Sequence, residues 1–178
     1  AGLKKLGILT MEECAFTGED LTGLTSATVW ELELPGCTLT EAQTESLDLT
    51  GFPKLRSLDI SGIAAWQQLP QLPEGVTQLD ISRSGISSLE GVQRLSGLSR
   101  LAAADTPVTD LTPLAICQQL ERVDISDTAV TDLTPLESCG KLQLLKADET
   151  PLTTLQGLET CIELRCISLK NAQLTDIS

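Results

Sequence analysis

Apolar side chains recur along this chain in one frame, LxxLxLxxTxVxxLxxLxxCxx. Its first position falls at Val76, Leu98, Leu120, Leu142 and Leu164, in four successive steps of 22 residues. The stretch 98–142 shows the frame most plainly: LSRLAAADTPVTDLTPLAICQQ is followed by LERVDISDTAVTDLTPLESCGK, with Val-Thr-Asp-Leu-Thr-Pro-Leu unchanged. Self-similarity at a fixed period of this size marks a solenoid or a propeller. Towards the N-terminus the frame continues at Leu55, Val29 and Leu6, with steps of 21, 26 and 23. That gives eight coils, the last incomplete.

Each part of the frame predicts an element. In LxxLxL the apolar residues alternate, as in a strand with one buried face. The spacing of three in VxxLxxL suits a tight 3₁₀ turn on the far side of the coil. Thr112-Pro113 and Thr134-Pro135 read as helix starts, with Thr as N-cap and Pro in the first position. Residues 39–55 exceed one repeat, so a helix or bulged loop is expected near 41–47. One coil cannot cover its own leucine row, so neighbours must stack, each buried Leu, Ile or Val contributing roughly 1.5–3 kcal/mol.

With that frame the chain resembles the leucine-rich repeat proteins over essentially its whole length. The 22-residue spacing with VTDLTPL is similar to the internalin type and to the short-repeat phosphatase-regulator type. The resemblance implies an α/β solenoid of about eight coils. A curved parallel sheet would form the concave face, with short helices, 3₁₀ turns or loops on the convex face. Residues 1–178 read as a single repeat domain, regular over 55–178 and less so over 1–54, and as a piece of a longer protein because neither end carries a polar cap sequence. The family places Asn at the turn after the strand, bonding to adjoining coils. Here that position holds Cys14, Cys37, Ser84, Thr106, Thr128, Thr150 and Ala172, and Ile63 in the coil of Leu55. A hydroxyl can serve part of the same role. The stretch 69–79, LPQLPEGVTQL, resembles the LPxLPxxLxxL repeat of bacterial effectors, some of which carry a ubiquitin-ligase domain; its prolines equally fix a plain extended path.

Composition narrows the function. Of 178 residues 41% are hydrophobic and 2% aromatic, so the core must be aliphatic. The net charge of −13 works against nucleic acid and anionic lipid and favours a basic protein partner. No apolar run reaches a membrane span and no signal segment opens the chain. There is no histidine, which removes His nucleophile activation, His acid–base chemistry and His metal ligands. No phosphate-cradling glycine motif occurs. The cysteines 14, 37, 117, 139, 161 and 166 form no CxxC pair, and Cys117, Cys139 and Cys161 simply mark a repeat position. No cofactor or metal is expected. Free cysteines and the missing signal segment lean towards a reducing, cytoplasmic location.

Binding is expected through the residues between the leucines. One column reads Thr10, Glu33, Asp59, Asp80, Ala102, Asp124, Lys146, Ser168; a second holds Glu31, Arg100 and Arg122. Before the turn Thr stand Asp105, Asp127 and Glu149, with Asp148 beside them. At about 4.8 Å between coils, like charges repel by about 1 kcal/mol in water and several-fold more in a partly buried setting. Arg100 and Arg122 are expected to offset part of this by pairing across the face. The stripe reads either as a dock for a basic segment or as the solvated face of an acidic protein. Trp30 and Trp66 fall outside these columns and are expected at the edge or back, while Asp110 and Asp132 are expected to cap backbone N–H groups.

Nothing places a general base beside a Ser, Thr, Cys or Lys nucleophile. The expectation is a non-enzymatic protein–protein interaction scaffold presenting a partly acidic concave face. The alternatives are the substrate-recognition repeats of a larger effector or ligase enzyme, a surface adhesion array of internalin type, and self-association through uncapped end coils.

Overall fold

The computed structural model describes residues 5–16 and 25–175. Eight three-residue strands form one open parallel sheet in chain order: β1 Ile8–Thr10, β2 Glu31–Glu33, β3 Ser57–Asp59, β4 Gln78–Asp80, β5 Arg100–Ala102, β6 Arg122–Asp124, β7 Leu144–Lys146 and β8 Cys166–Ser168. Every strand starts two residues after a first frame position. The middle residues, among them Leu32, Leu58, Leu79, Leu101, Val123 and Leu145, stand opposite one another across the sheet and are all buried. Register therefore survives the uneven steps of 23, 26 and 21; in the coil of Val29 the extra residues are absorbed behind the sheet.

The long coil of Val29 shows how. It holds a helix, α1 Glu41–Ser46, and a 3₁₀ turn Leu49–Gly51, where later coils carry only a 3₁₀ turn or extended chain. The helix expected near 41–47 thus forms, started by a capping box that the sequence spells as Thr40-Glu41-Ala42-Gln43. Gln43 N–H donates to Thr40 Oγ1 (3.3 Å) while Thr40 N–H donates to Gln43 Oε1 (2.8 Å). In the regular coils the 3₁₀ turns Val92–Arg94, Thr112–Leu114 and Thr134–Ser138 replace it. Their buried Val92, Leu114 and Leu136, with Leu111, Leu133, Cys117 and Cys139, line the inner wall behind the sheet.

Thr112 and Thr134 do not act as N-caps. Each is the first residue of its 3₁₀ turn, Leu111 and Leu133 hold the cap position, and proline sits one place further in. The side-chain bond comes from the preceding aspartates as expected: Asp110 Oδ1 accepts from Thr112 N–H at 2.7 Å, and Asp132 Oδ1 from Thr134 N–H at 2.8 Å. Hydrogen bonding from the Thr112 side chain, and then from its backbone N–H, holds the Asp110 carboxyl below the usual carboxylate range.

After each strand the backbone turns through a left-handed residue: Glu13, Gly36, Gly62, Arg83, Asp105, Asp127, Glu149 and Asn171, with φ between +51 and +72°. The turn aims successive N–H groups at the next coil; Arg83, Asp105 and Asp127 donate to Ala104, Ser126 and Asp148 carbonyls at 2.8 Å each. A side chain in this region costs roughly 1–2 kcal/mol, against the roughly 0.5–1 kcal/mol of chain entropy that glycine loses on ordering. Exposed Arg83 makes no ion pair among the described residues. Arg83→Gly is therefore expected to raise stability by about 0.5–1 kcal/mol, read from the urea midpoint; a lower midpoint would contradict this account of the turn. The turn-position hydroxyls reach their own coil, not the adjoining one: Thr106, Thr128 and Thr150 donate to Ala103, Ile125 and Ala147 carbonyls at 2.6–2.7 Å. In this column the Cys37 thiol reaches the adjoining coil, donating to the Met11 carbonyl at 2.8 Å.

Candidate functional site

The predicted columns assemble on the open face of the sheet, since a three-residue strand with a buried middle turns its first and third side chains outward. Glu31, Ser57, Gln78, Arg100 and Arg122 follow one another across β2 to β6, and Glu33, Asp59, Asp80, Ala102, Asp124 and Lys146 run beside them from β2 to β7. Around β2–β4 these side chains enclose a shallow hollow of about 190 Å³ lined by Glu31, Glu33, Asp59, Asp80, Ser57, Gln78 and Arg100.

The expected compensation by Arg100 and Arg122 does not form. The two arginines stand opposite each other on β5 and β6, and among the described residues neither makes an ion pair with a carboxylate. Among the described residues the ion pairs are Lys146–Asp124 at 3.2 Å and Lys170–Asp148 at 3.9 Å. A lysine one coil further on can lean back along the column, whereas Arg100 and Arg122 face each other. The face is thereby divided. Asp124 and Asp148 have cationic partners; among the described residues Glu31, Glu33, Asp59 and Asp80, like the turn acids Asp105, Asp127 and Glu149, have none.

Three aspartates of the face also hold the chain. Asp59, Asp80 and Asp124 close the turn after their strands, each Oδ1 accepting the N–H two residues on, from Ser61, Ser82 and Ser126 at 2.9, 2.9 and 3.2 Å. Glu33 accepts from Thr10 Oγ1 at 2.7 Å. Asp148 accepts from Ser168 Oγ at 2.6 Å and Lys170 N–H at 2.8 Å, which together hold its carboxyl below the usual range. Asp105, Asp127 and Glu149 occupy the left-handed turn, one residue beyond the strand-end loop. The spacing put them in one column correctly but carried no sign of their backbone conformation.

The sequence reading missed a larger hollow of about 460 Å³ between α1 and the stretch 65–71. Its only sequence signal is a 26-residue step followed by one of 21. Trp66 lies at its base and is buried, whereas Trp30 stays 45% exposed, so only the former packs into the body of the solenoid.

The cysteine column Cys117, Cys139 and Cys161 is buried, its thiols directed at carbonyls of the preceding coil: Val92 (3.9 Å), Leu114 (3.9 Å) and Leu136 (3.5 Å). Burial pushes the Cys117 and Cys139 thiols up to about 11, and raises Cys161 as well. Thiols so held stay protonated at neutral pH and act as small core residues. Among the described residues no group of three or more His, Cys, Asp or Glu side chains could hold a metal ion, and no helix is long and apolar enough to cross a membrane.

No protein-family model matches the sequence, and no curated protein does. Solved structures match. Internalin C2 of Listeria monocytogenes superposes with a TM-score of 0.74 at 22% identity, over 94% of this chain and 72% of its own. A leucine-rich repeat protein of Leptospira interrogans gives 0.69 at 18%, over 99% of this chain and 40% of its own. The functional domain of InlJ from L. monocytogenes, described as including a cysteine ladder, gives 0.54 at 20%, over 97% and 46%. The chain thus spans less than half of the last two. Eight in-register parallel coils on an LxxLxL frame, matched by these structures, identify the fold as a leucine-rich repeat solenoid similar to the internalins.

Proposed function

We propose that this chain is a protein-interaction scaffold without catalytic chemistry of its own, and that it docks a basic segment of a protein partner on the open sheet face at β2–β4. One observation carries the reading. Among the described residues Glu31, Glu33, Asp59 and Asp80 gather round one hollow, which Arg100 also lines, and none of the four makes an ion pair, whereas Asp124 and Asp148 further along do. Two of them, Asp59 and Asp80, are held by turn hydrogen bonds, so little side-chain freedom is lost when a partner binds. Lys or Arg of a partner would meet preorganised carboxylates and be steered by a net charge of −13.

Replacing Asp59 and Asp80 by Asn removes charge and keeps the acceptor for each turn N–H. The double variant Asp59→Asn/Asp80→Asn is expected to bind an oligolysine peptide about five- to tenfold more weakly, at up to about 1 kcal/mol per exposed contact, with a flatter salt dependence. Asp124→Asn, whose carboxylate already has Lys146, should change affinity less than about twofold. Equal binding by wild type and the double variant would sink the proposal. A second reading, a surface adhesion array, is favoured by the structural likeness to internalins. It uses the same face, and a secretion signal in the full gene product would support it. For the substrate-recognition alternative the support is the LPQLPEG stretch, and a catalytic domain in the same gene product would decide it.

A further inference from the structure

We propose that the hollow between α1 and the stretch 65–71 is a second docking site, for a partner segment that carries an arginine or lysine beside apolar residues. It does not rest on the sheet-face reading, because no strand residue lines it. Its origin is a mismatch of neighbouring coils. The coil of Val29 carries a helix behind the sheet, while the next coil, one of the shortest, crosses the same region as Leu69-Pro70 without any helix. A wide element beside a narrow one leaves a gap, whereas in the regular coils 3₁₀ turn is stacked on 3₁₀ turn. At about 460 Å³ the gap is of a size that holds ligands elsewhere.

Its lining selects the occupant. Trp66 is buried at the base and half-buried Leu69 and Pro70 form an apolar wall. Glu41, Glu45 and Asp48 are exposed at the rim, and no Lys or Arg lines the hollow. Glu41 and Glu45 lie four apart on α1, on the same face, where like charges repel, and neither has an ion-pair partner among the described residues. An anionic group would add to that repulsion. A wholly apolar plug would strip water from carboxylates without replacing it. A long basic side chain fits both halves, its aliphatic stem against Leu69 and Pro70 and its head at the rim. A flanking apolar residue reaches the Trp66 end.

The test uses the whole chain with Trp30→Phe, so that Trp66 is the single fluorophore. Titration calorimetry with acetyl-Ala-Leu-Arg-Leu-Ala-amide gives affinity, and Trp66 emission reports location. The expected result is saturable binding with an emission change. It weakens about fivefold, about 1 kcal/mol, in Glu41→Gln/Glu45→Gln and is unchanged in Asp59→Asn/Asp80→Asn. The glutamate analogue acetyl-Ala-Leu-Glu-Leu-Ala-amide should not bind. Absence of binding, equal affinity in the α1 variant, or loss in the sheet-face variant instead would each overturn the second site, the last while leaving the sheet-face reading intact.

Discussion

Truncating Leu101 to alanine is expected to remove about 3–4 kcal/mol of stability, in the middle of the range for large-to-small core changes. Leu101 is the middle residue of β5, 1% exposed, and stands between Leu79 and Val123 in the sheet. In a solenoid each coil touches only its neighbours, so stability is close to a sum of coil and interface contributions. A cavity at β5 weakens two interfaces together, and the surrounding coils cannot collapse into it without breaking register with β4 and β6. Ile167 offers the comparison. It is the equivalent residue of β8, 37% exposed, and Ile167→Ala should cost about 1 kcal/mol or less, from the smaller apolar area it keeps from water. Urea unfolding followed by circular dichroism measures both. Similar losses at the two positions would mean that the stack is not built from the strand-centre row.

A loss of about 3 kcal/mol or more is also expected for Gly157→Ala. Gly157 has φ +101°, where any L side chain is strained, at a cost of about 1–3 kcal/mol. It also lies against the preceding coil. A Cβ there would touch the Leu133 carbonyl oxygen and come within 2.5 Å of the Leu133 carbonyl carbon and 2.6 Å of Thr134 Cα. These are backbone atoms at the start of the 3₁₀ turn Thr134–Ser138, so relief requires moving a whole coil, and overpacking adds about 1–3 kcal/mol. Gly91 separates the two causes. Its φ is +106°, yet the nearest atom to an added Cβ is Leu69 Cδ2 at 3.8 Å. Gly91→Ala should carry the strain alone, about 1–3 kcal/mol, and so lose less than Gly157→Ala. Equal losses at Gly91 and Gly157, measured in the same urea series, would remove close coil contact from the explanation.

The frame was legible because burial repeats. Every strand follows from LxxLxL, the helix near 41–47 from surplus chain, and the caps at Asp110 and Asp132 from identical placement before a turn. What depends on side-chain direction or backbone sign was not legible. Nothing in the letters shows that Asp105 and Glu149 have positive φ, since the same turn position is filled by Gly36, Arg83 and Asn171 elsewhere. Spacing showed that acids would share a column but not which cation would reach them. Arg100 and Arg122 were the expected partners, and Lys146 and Lys170 are the actual ones. That exchange sharpens the candidate site, because among the strand carboxylates it leaves Glu31, Glu33, Asp59 and Asp80 at β2–β4 without an ion pair while Asp124 on β6 has one. The hollow behind the sheet was hidden for another reason. It belongs to no repeat, only to the difference between two unequal coils.

The claim that function resides in the β2–β4 end of the sheet face is tested most directly by mapping amide chemical-shift changes on titration with an oligolysine peptide. Localised docking predicts the largest shifts within 31–33, 57–59 and 78–80, with small ones at β6 and β7, where Asp124 is paired to Lys146 at 3.2 Å. Shifts spread evenly over the acidic surface, or none on the sheet, would contradict it.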